Sequence, residues 1–333
     1  MTAFVVSFTF TMVVMPFFIK WLKTKGVQGQ PIRDDGPKDH FSKKGTTTMG
    51  GVVMIAAVLI STILFCDLTN LYVFLSMVVL LAYTGLGFID DWRKITKQTV
   101  EGVTEKQKLL FQFGVAAAVA VILMIAGFST DLSIPFLKKD MAIPLGILFV
   151  PFAMLVIVGT SNAVNLTDGL DGLAIGPIIT VAAAYGLFSY LGGHKELSDY
   201  LGLYHVQGAG ELSIVLAAVC AAGLGFLWYN CSPAQIFMGD TGALALGGIL
   251  GFIAVLTKHE LVLVIAGGVF VVEALSVLIQ RYYYKATKKR IFKMAPFHHH
   301  LELLGWPEQK IVVRFWIISI FLALISLSTI KIR

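Results

Sequence analysis

Carboxylates stand beside apolar runs at three places in this chain. Asp90 and Asp91 follow one such run, Asp168 and Asp171 follow a second, and Asp240 precedes a third. A carboxylate near hydrocarbon is costly, so each of these acids is expected to have a partner or a function. Several acids without an adjacent base are typical of a site that holds a hard cation. This pattern favours a membrane-embedded enzyme over a scaffold.

The composition decides the fold class. The chain has 333 residues, of which 57% are hydrophobic and 14% charged, whereas an average soluble protein is about 25% charged. Uncharged runs at 1–19, 141–167 and 212–239 approach or exceed the roughly 20 residues that span a bilayer as a helix. The runs are continuous rather than alternating, which argues against a strand barrel. We predict an all-α polytopic membrane protein, with residues 1–333 forming a single domain.

The apolar runs predict about ten spans. A helix of suitable length and hydropathy is expected near 2–21, 47–66, 71–89, 108–128, 143–160, 173–191, 212–229, 241–257, 261–281 and 311–330.

Basic residues are distributed unevenly between the two sets of loops that these spans define. Lys and Arg are dense at 20–44, 93–108 and 281–310 and sparse in the opposite loops. The positive-inside rule places the basic set in the cytoplasm and both termini outside. All three acidic groups and the segment 294–300 then lie on the cytoplasmic side, which predicts one active site at that face.

The second acidic group has the most informative spacing. Asn165, Asp168 and Asp171 follow one another at intervals of three, which places them on one helical face. Asp240 is open to two interpretations, an N-cap for the eighth span or a ligand to Mg²⁺. Asp90 and Asp91 diverge by about 100° on a helix, so one faces the site while the other meets a loop or a neighbouring base.

Histidines and lysines near these acids are further candidates. His298, His299 and His300 are consecutive, and consecutive side chains on a helix diverge too far to share one zinc ion. We expect one or two of them to donate to phosphate oxygens or to a carboxylate. Glu273 lies inside an apolar run and is a candidate because buried acids in membranes are usually functional. Three lysines close to the acidic groups are expected to bind a diphosphate, namely Lys43, Lys94 and Lys106.

Five ordered motifs resemble one known family. They are 45–51 (GTTTMGG), 88–91 (FIDD), 165–174 (NLTDGLDGLA), 237–242 (FMGDTG) and 296–305 (PFHHHLELLG). Together they resemble the bacterial phospho-N-acetylmuramoyl-pentapeptide-transferase family, which is part of the polyprenyl-phosphate N-acetylhexosamine-1-phosphate transferases. The resemblance covers the whole chain, and the uninterrupted His-His-His favours the muramoyl-pentapeptide branch over a related transferase of another envelope pathway.

The resemblance implies a function and a set of partners. It implies a multi-pass protein of the bacterial plasma membrane that transfers phospho-MurNAc-pentapeptide from its UDP carrier to undecaprenyl phosphate, giving lipid I and UMP. It also implies a cytoplasmic Mg²⁺ site, ten spans and a homodimer, with no nucleic-acid partner.

The resemblance also distributes roles over the residues of this chain. The candidate catalytic residues are Asp90, Asp91, Asp240 and His298. Asp240 is the first candidate metal ligand, with Asp90 and Asp91 as further ones. The uridine-diphosphate side is implied for Lys43, Asn165, Asp168, Asp171, Asn230 and Phe237, and substrate contacts are also expected from Lys94, Lys106, His299 and His300.

Two alternatives remain open at the level of sequence. A transporter also places acids in the membrane, although its site usually lies near the midplane and its halves often repeat. For the enzyme, direct attack by the lipid phosphate competes with a two-step route through a phosphorylated aspartate.

Overall fold

The computed structural model describes residues 1–25, 45–97, 102–137 and 141–331. The helices are α1 (Thr2–Thr24), α2 (Gly51–Phe65), α3 (Leu71–Lys97), α4 (Glu105–Ile125), α5 (Phe149–Thr167), α6 (Ile175–Gly193), α7 (Lys195–Leu201), α8 (Leu212–Asn230), α9 (Gly239–Leu256), α10 (Val262–Ala266), α11 (Gly268–Thr287), α12 (Phe297–Glu302) and α13 (Glu308–Ser328). Two short antiparallel strands, β1 (Asp131–Leu132) and β2 (Ile143–Pro144), form a hairpin.

The prediction of a helical membrane protein is confirmed. Within the described residues, eight helices are long and apolar enough to cross a bilayer, namely α1, α3, α4, α5, α6, α8, α9 and α13, and α2 is apolar but shorter. The chain is therefore a multi-pass membrane protein. Each of the ten predicted spans coincides with at least one helix.

The run at 261–281 is not one continuous helix as predicted. It is divided into α10 and α11 at Gly267. A side chain at Gly267 would lie 2.8 Å from the Leu263 carbonyl, and the next residue is also a glycine. Glycine pairs are a usual cause of a sharp break in a helix, but the surrounding apolar residues hide such a break in the sequence.

Helix α9 is the central element of the bundle. Nearly all of its side chains from Thr241 to Leu256 are buried, and it packs most extensively against α3 and α5. Glycines make this packing close: a Cβ on Gly87 of α3 would lie 2.3 Å from the Asp240 carbonyl oxygen. A Cβ on Gly51 of α2 would lie 2.3 Å from the Gly242 nitrogen. Small residues therefore bring α2 and α3 against the beginning of α9, where the acidic residues lie.

Four polar side chains inside the bundle form a hydrogen-bonded network. Gln112 of α4 donates to the Ser161 hydroxyl (2.9 Å) and accepts from Asn162 (2.9 Å), and Tyr83 donates to the Gln112 carbonyl (2.9 Å). Ser161 in turn donates to the Leu244 carbonyl of α9. Because a bilayer supplies no water to unpaired polar groups, this network links α3, α4, α5 and α9 in one arrangement.

The hairpin β1–β2 is held at the end of α9 that lies away from Asp240. Buried Lys258 donates to the carbonyls of Ser129 and Asp131, and its ammonium lies 4.2 Å from the centre of the Phe128 ring. Burial lowers the pKa of Lys258 to about 8, and it raises the pKa of the nearby Glu260 to about 7. This end of the bundle thus carries two titratable groups that the acidic centre does not use.

Candidate active site

Asp91 is bound to the first turn of α9. Its Oδ1 accepts from the Asp240 backbone N–H (3.1 Å), and its Oδ2 accepts from the Thr241 N–H (2.9 Å) and hydroxyl (2.6 Å). Gly239 precedes this turn with φ +75°, and a Cβ there would lie 2.5 Å from Asp91 Oδ2. Asp91 therefore caps α9 and fixes where Asp240 stands, a role that the sequence interpretation considered for Asp240 instead.

Asp90 and Asp240 share two ammonium groups. Lys94 lies 2.6 Å from Asp90 Oδ2 and 3.2 Å from Asp240 Oδ2, and Lys108 of α4 lies 3.0 Å and 2.6 Å from the same oxygens. The other oxygen of Asp90 accepts from the Val103 N–H at 2.6 Å. The base next to the aspartate pair thus binds Asp90, whereas Asp91 makes its bonds to α9.

These three aspartates are the candidate metal centre. One carboxylate oxygen from each of Asp90, Asp91 and Asp240 lies within 4.8 Å of the others. Carboxylates are the ligands that hard divalent cations take, and Mg²⁺ is usually bound by one or two of them plus water and phosphate. The donor set therefore fits such a cation.

Asn165 and Asp168 reach the centre from α5, but not in the way the spacing predicted. Helix α5 ends at Thr167, so Asp168 is its C-cap and Asp171 lies in the following turns. The expectation of one continuous helical face was wrong because the chain turns at this point, which Gly172 at φ +76° permits. Asn165 donates from Nδ2 to Asp240 Oδ1 at 2.9 Å.

The environment of Asp168 is strongly acidic. Burial, and then the carboxylates of Asp240, Asp91 and Asp171, raise its pKa to about 8. A cation bound among those carboxylates would lower the pKa again, because it favours the charged form. Binding of a cation among those carboxylates would therefore favour loss of the proton from Asp168.

Asp171 and Asn230 join the loop after α5 to the loop before α9. Asp171 Oδ2 accepts from the Ala234 N–H (3.0 Å), and its own N–H donates to Glu308 (2.9 Å). Asn230 Oδ1 accepts from the Gly172 N–H (3.0 Å), and its Nδ2 donates to the Ile236 carbonyl (2.9 Å). Both side chains are buried, and their hydrogen bonds hold the two loops together next to Asp168.

The three consecutive histidines of α12 have three different partners. Buried His298 directs Nδ1 at Glu273 of α11 (3.0 Å), and its Nε2 lies against Gly169. His299 Nδ1 lies 2.6 Å from Glu302. His300 Nδ1 accepts from the Lys293 N–H (3.1 Å), and its ring packs against Phe292 and Phe297. Of the three, His298 is the one placed beside the 165–172 loop.

Three candidate residues remain to be located, namely Phe237, Lys106 and Lys43. Phe237 is half-buried in the loop before α9, where its backbone pairs with Thr47 and Gly50. Lys106 is exposed on α4. Lys43 lies outside the described residues.

Lys108 is the main functional candidate that the sequence interpretation missed. From the sequence, Lys108 was used only as one of the basic residues that orient the chain in the membrane. In the structure its ammonium lies between Asp90 and Asp240. Lys108 is four residues before the buried Gln112, so both lie on the face of α4 that looks into the bundle. That buried polar residue is the signal that distinguishes Lys108 from Lys106.

Comparison with known proteins finds relatives over nearly the whole chain. The model of glycosyl transferase family 4 matches residues 72–258. Two similar proteins, from Bartonella quintana and Citrifermentans bemidjiense, are both named phospho-N-acetylmuramoyl-pentapeptide-transferase and are both 52% identical to the chain. The first alignment covers 96% of this chain and 89% of the relative, and the second covers 99% and 92%. The chain therefore belongs to the phospho-N-acetylmuramoyl-pentapeptide-transferase family of transferase enzymes, within glycosyl transferase family 4.

Proposed function

We propose that this protein transfers phospho-MurNAc-pentapeptide from UDP-MurNAc-pentapeptide to undecaprenyl phosphate, forming lipid I and UMP in peptidoglycan synthesis. The observation that carries the proposal is the joint site of Asp90, Asp240, Lys94 and Lys108 at the ends of membrane helices. A lipid phosphate at the membrane surface and a water-soluble nucleotide can both reach a site in that position.

The chemistry needs neutralisation of charge more than it needs a strong base. An oxygen of the lipid phosphate attacks the phosphorus that carries the sugar. The bond from that phosphorus to the bridging oxygen breaks, and UMP leaves with the electron pair. The lipid phosphate has a second pKa of about 6, so it is mostly dianionic at neutral pH. Asp90 orients it, while Lys94 and Lys108 offset the negative charge that the two substrates bring together.

Mg²⁺ is the proposed cofactor, held by Asp240 with Asp90 and Asp91 as further ligands. When bound, Mg²⁺ supplies Lewis-acid stabilisation of diphosphate oxygens. Asn165 holds Asp240 from the side opposite the lysines, and Asp91 holds the backbone of the same residue. The chain's own contribution is thus a fixed position for the Asp240 carboxylate.

The nucleotide is proposed to bind between the loop after α5 and the loop before α9. Asp168 belongs to the first loop and Phe237 to the second, and Phe237 is proposed to stack on the uracil ring. Asp171 and Asn230 act by holding the two loops together. Lys43, Lys106, His299 and His300 are proposed contacts for the remaining phosphate and sugar groups.

The proposed assembly is a homodimer with ten spans in the plasma membrane. Both termini lie outside, and the aspartate centre lies on the cytoplasmic side, as the distribution of basic residues indicates. UDP-MurNAc-pentapeptide is a cytoplasmic nucleotide, so this orientation gives it access.

Release of UMP tests the proposed function. Detergent-solubilised protein with UDP-MurNAc-pentapeptide, polyprenyl phosphate and Mg²⁺ should release UMP, and omission of either lipid or Mg²⁺ should prevent it. Asp240→Asn keeps the shape of the side chain and removes its charge, so turnover should fall by at least about 10²-fold. Repeated turnover of the UDP-sugar without lipid acceptor, beyond one UMP per site, or full turnover in that variant, would contradict the assignment.

The same assay separates the two routes. Direct attack requires that no UMP appears without polyprenyl phosphate, whereas a phosphorylated-aspartate route releases about one UMP per site in a burst. We favour direct attack, and a stoichiometric burst that disappears in Asp90→Asn would replace it with the two-step route.

A further inference from the structure

Within the described residues, the carboxyl group of buried Glu273 is bound by His298. Its Oε1 accepts from the His298 backbone N–H at 3.1 Å, and its Oε2 lies within hydrogen-bond distance of the ring Nδ1, at 3.0 Å. The exposed fraction is 1% for the His298 side chain and 0% for the Glu273 side chain. One hydrogen lies between Oε2 and Nδ1, and the backbone N–H makes Oε1 an acceptor.

The other ring nitrogen of His298 faces the site. His298 Nε2 is buried and has no hydrogen-bond partner in the described part of the chain. It lies against the loop after α5, since a Cβ on Gly169 would be 2.3 Å from this atom. Buried polar atoms are nearly always paired, so Nε2 is an atom whose partner is expected to be a ligand.

The charge on Glu273 determines whether Nε2 of His298 carries a hydrogen that it can donate to that ligand. A carboxylate buried among apolar side chains is costly unless a positive charge compensates it. The imidazole ring is the group in contact with it, and an imidazolium carries a hydrogen on each nitrogen. The Nε2–H would then be a charged donor, which suits a phosphate oxygen.

We propose that Glu273 is a positioning residue that holds His298 as an imidazolium, with Nδ1–H bound to the carboxylate and Nε2–H directed at a phosphate oxygen of the diphosphate substrate. This inference rests on the proposed function, because it takes the diphosphate as the ligand beside Gly169. Glu273 itself touches no substrate and acts through the ring.

A double-mutant cycle tests whether Glu273 acts through His298. We expect Glu273→Gln to lower kcat by about 10- to 100-fold and to leave the KM for the nucleotide within about two-fold. His298→Gln should lower kcat by about 10²-fold. The double variant should be no slower than His298→Gln, within about two-fold. Losses that multiply would overturn the proposal, because they would show that the two residues act independently.

Glu260→Gln is the matched control for removal of a buried carboxylate. Glu260 is also buried, but it lies beyond the other end of α9, and its replacement should leave kcat unchanged. A loss in Glu260→Gln equal to that in Glu273→Gln would mean that a general structural effect explains both, and the proposal would fail.

A measurement without turnover separates this inference from the proposed function. In protein labelled with ¹⁵N-histidine, the ring signal that disappears in His298→Gln should report hydrogens on both nitrogens in the wild type. An Nδ1 without hydrogen would overturn the role of Glu273 even in an active enzyme. Absence of UMP release from the wild type would instead overturn the proposed function and leave the ring assignment standing.

Discussion

Lys108 joins Asp90 to Asp240 from a helix that the acidic motifs do not include. Its ammonium is 3.0 Å and 2.6 Å from the two carboxylates, so it holds them together and offsets their repulsion. We expect Lys108→Met to lower kcat by about 10²-fold, as loss of one preorganised charge-stabilising group often does. Steady-state UMP release at saturating nucleotide measures this change.

Lys106→Met is the comparison for that variant. It removes the same charge from an exposed side chain two residues away, and we expect a decrease at least several-fold smaller. Equal losses in the two variants would show that positive charge near α4, rather than the contact with Asp90 and Asp240, is what matters.

The sequence predicted which acids meet, but not which lysine meets them. Asp90 and Asp240 were predicted to share one site, and the structure brings them together through Lys94 and Lys108. The choice between Lys106 and Lys108 depends on which face of α4 is buried. Gln112 stands four residues after Lys108 and marks that face, but its burial depends on the packing of α4 against the bundle, which the sequence does not show.

At the level of elements, the contact between α3 and α9 sets the position of the centre. A Cβ on Gly87 would lie 2.3 Å from the Asp240 carbonyl oxygen, whereas Gly85, also on α3, has nothing within 4 Å. We expect Gly87→Ala to cost about 1–3 kcal/mol of stability through overpacking, and also to lower turnover because Asp240 must move. Thermal unfolding in detergent and UMP release measure the two effects.

Gly85→Ala is the control on the same helix. It adds the same methyl group in open space, so stability should stay the same or rise by up to about 1 kcal/mol. Comparable losses at both positions would show that α3 tolerates no added methyl group, and that the approach to α9 has no special role.

The hairpin end of the bundle should make stability depend on pH. The folded-state pKa of Glu260, about 7, exceeds its ordinary 4.5, so its stabilising contribution is present below pH 4.5 and is lost as pH rises through 7. The folded-state pKa of Lys258, about 8, is below its ordinary 10.5, so stability increases as pH rises from 8 to 10.5. The two contributions together predict a minimum in the unfolding temperature between about pH 7 and 8.

Thermal unfolding of Glu260→Gln across this pH range allows the prediction to be checked. The variant should remove the decrease between pH 4.5 and 7 and keep the increase above pH 8. An unfolding temperature with the same pH profile in the wild type and the variant would show that Glu260 is not its source.

Element types were predictable from the sequence, whereas several element ends were not. Apolar length is a direct consequence of bilayer thickness, which is why every predicted span contains a helix. The end of α5 at Thr167 and the break at Gly267 depend on contacts between distant segments. Asp168 caps α5 where a continued helix was expected, because the loop after it is bound by Asn230 and Glu308.

At the scale of the whole molecule, the native cysteines offer a test of orientation. Cys231 is exposed in the loop before α9, Cys220 is buried, and burial raises the pKa of Cys66 to about 12. Thiolates react with maleimides far faster than thiols do, so Cys231 should be the main site of labelling. A membrane-impermeant maleimide should not label intact spheroplasts and should label them after permeabilisation.

Cys231→Ser provides the control, because it should abolish that labelling. Labelling of Cys231 in intact spheroplasts would place the aspartate centre outside and would contradict the orientation that the basic residues predict. Chain composition predicts the membrane class directly, whereas the orientation is inferred from the charges of the loops.

The shared ammonium groups have a consequence for how firmly a divalent ion is retained. Three carboxylates and two lysines leave a net charge of −1 in the centre, since 3 − 2 = 1. One excess charge is a weak attraction for an ion that gives up its hydration reluctantly. Mg²⁺ would then enter the site bound to the diphosphate of the nucleotide and leave it with UMP. Calorimetry should find Mg²⁺ binding weak alone and tighter with UDP, and tight binding without nucleotide would make it a resident ion instead.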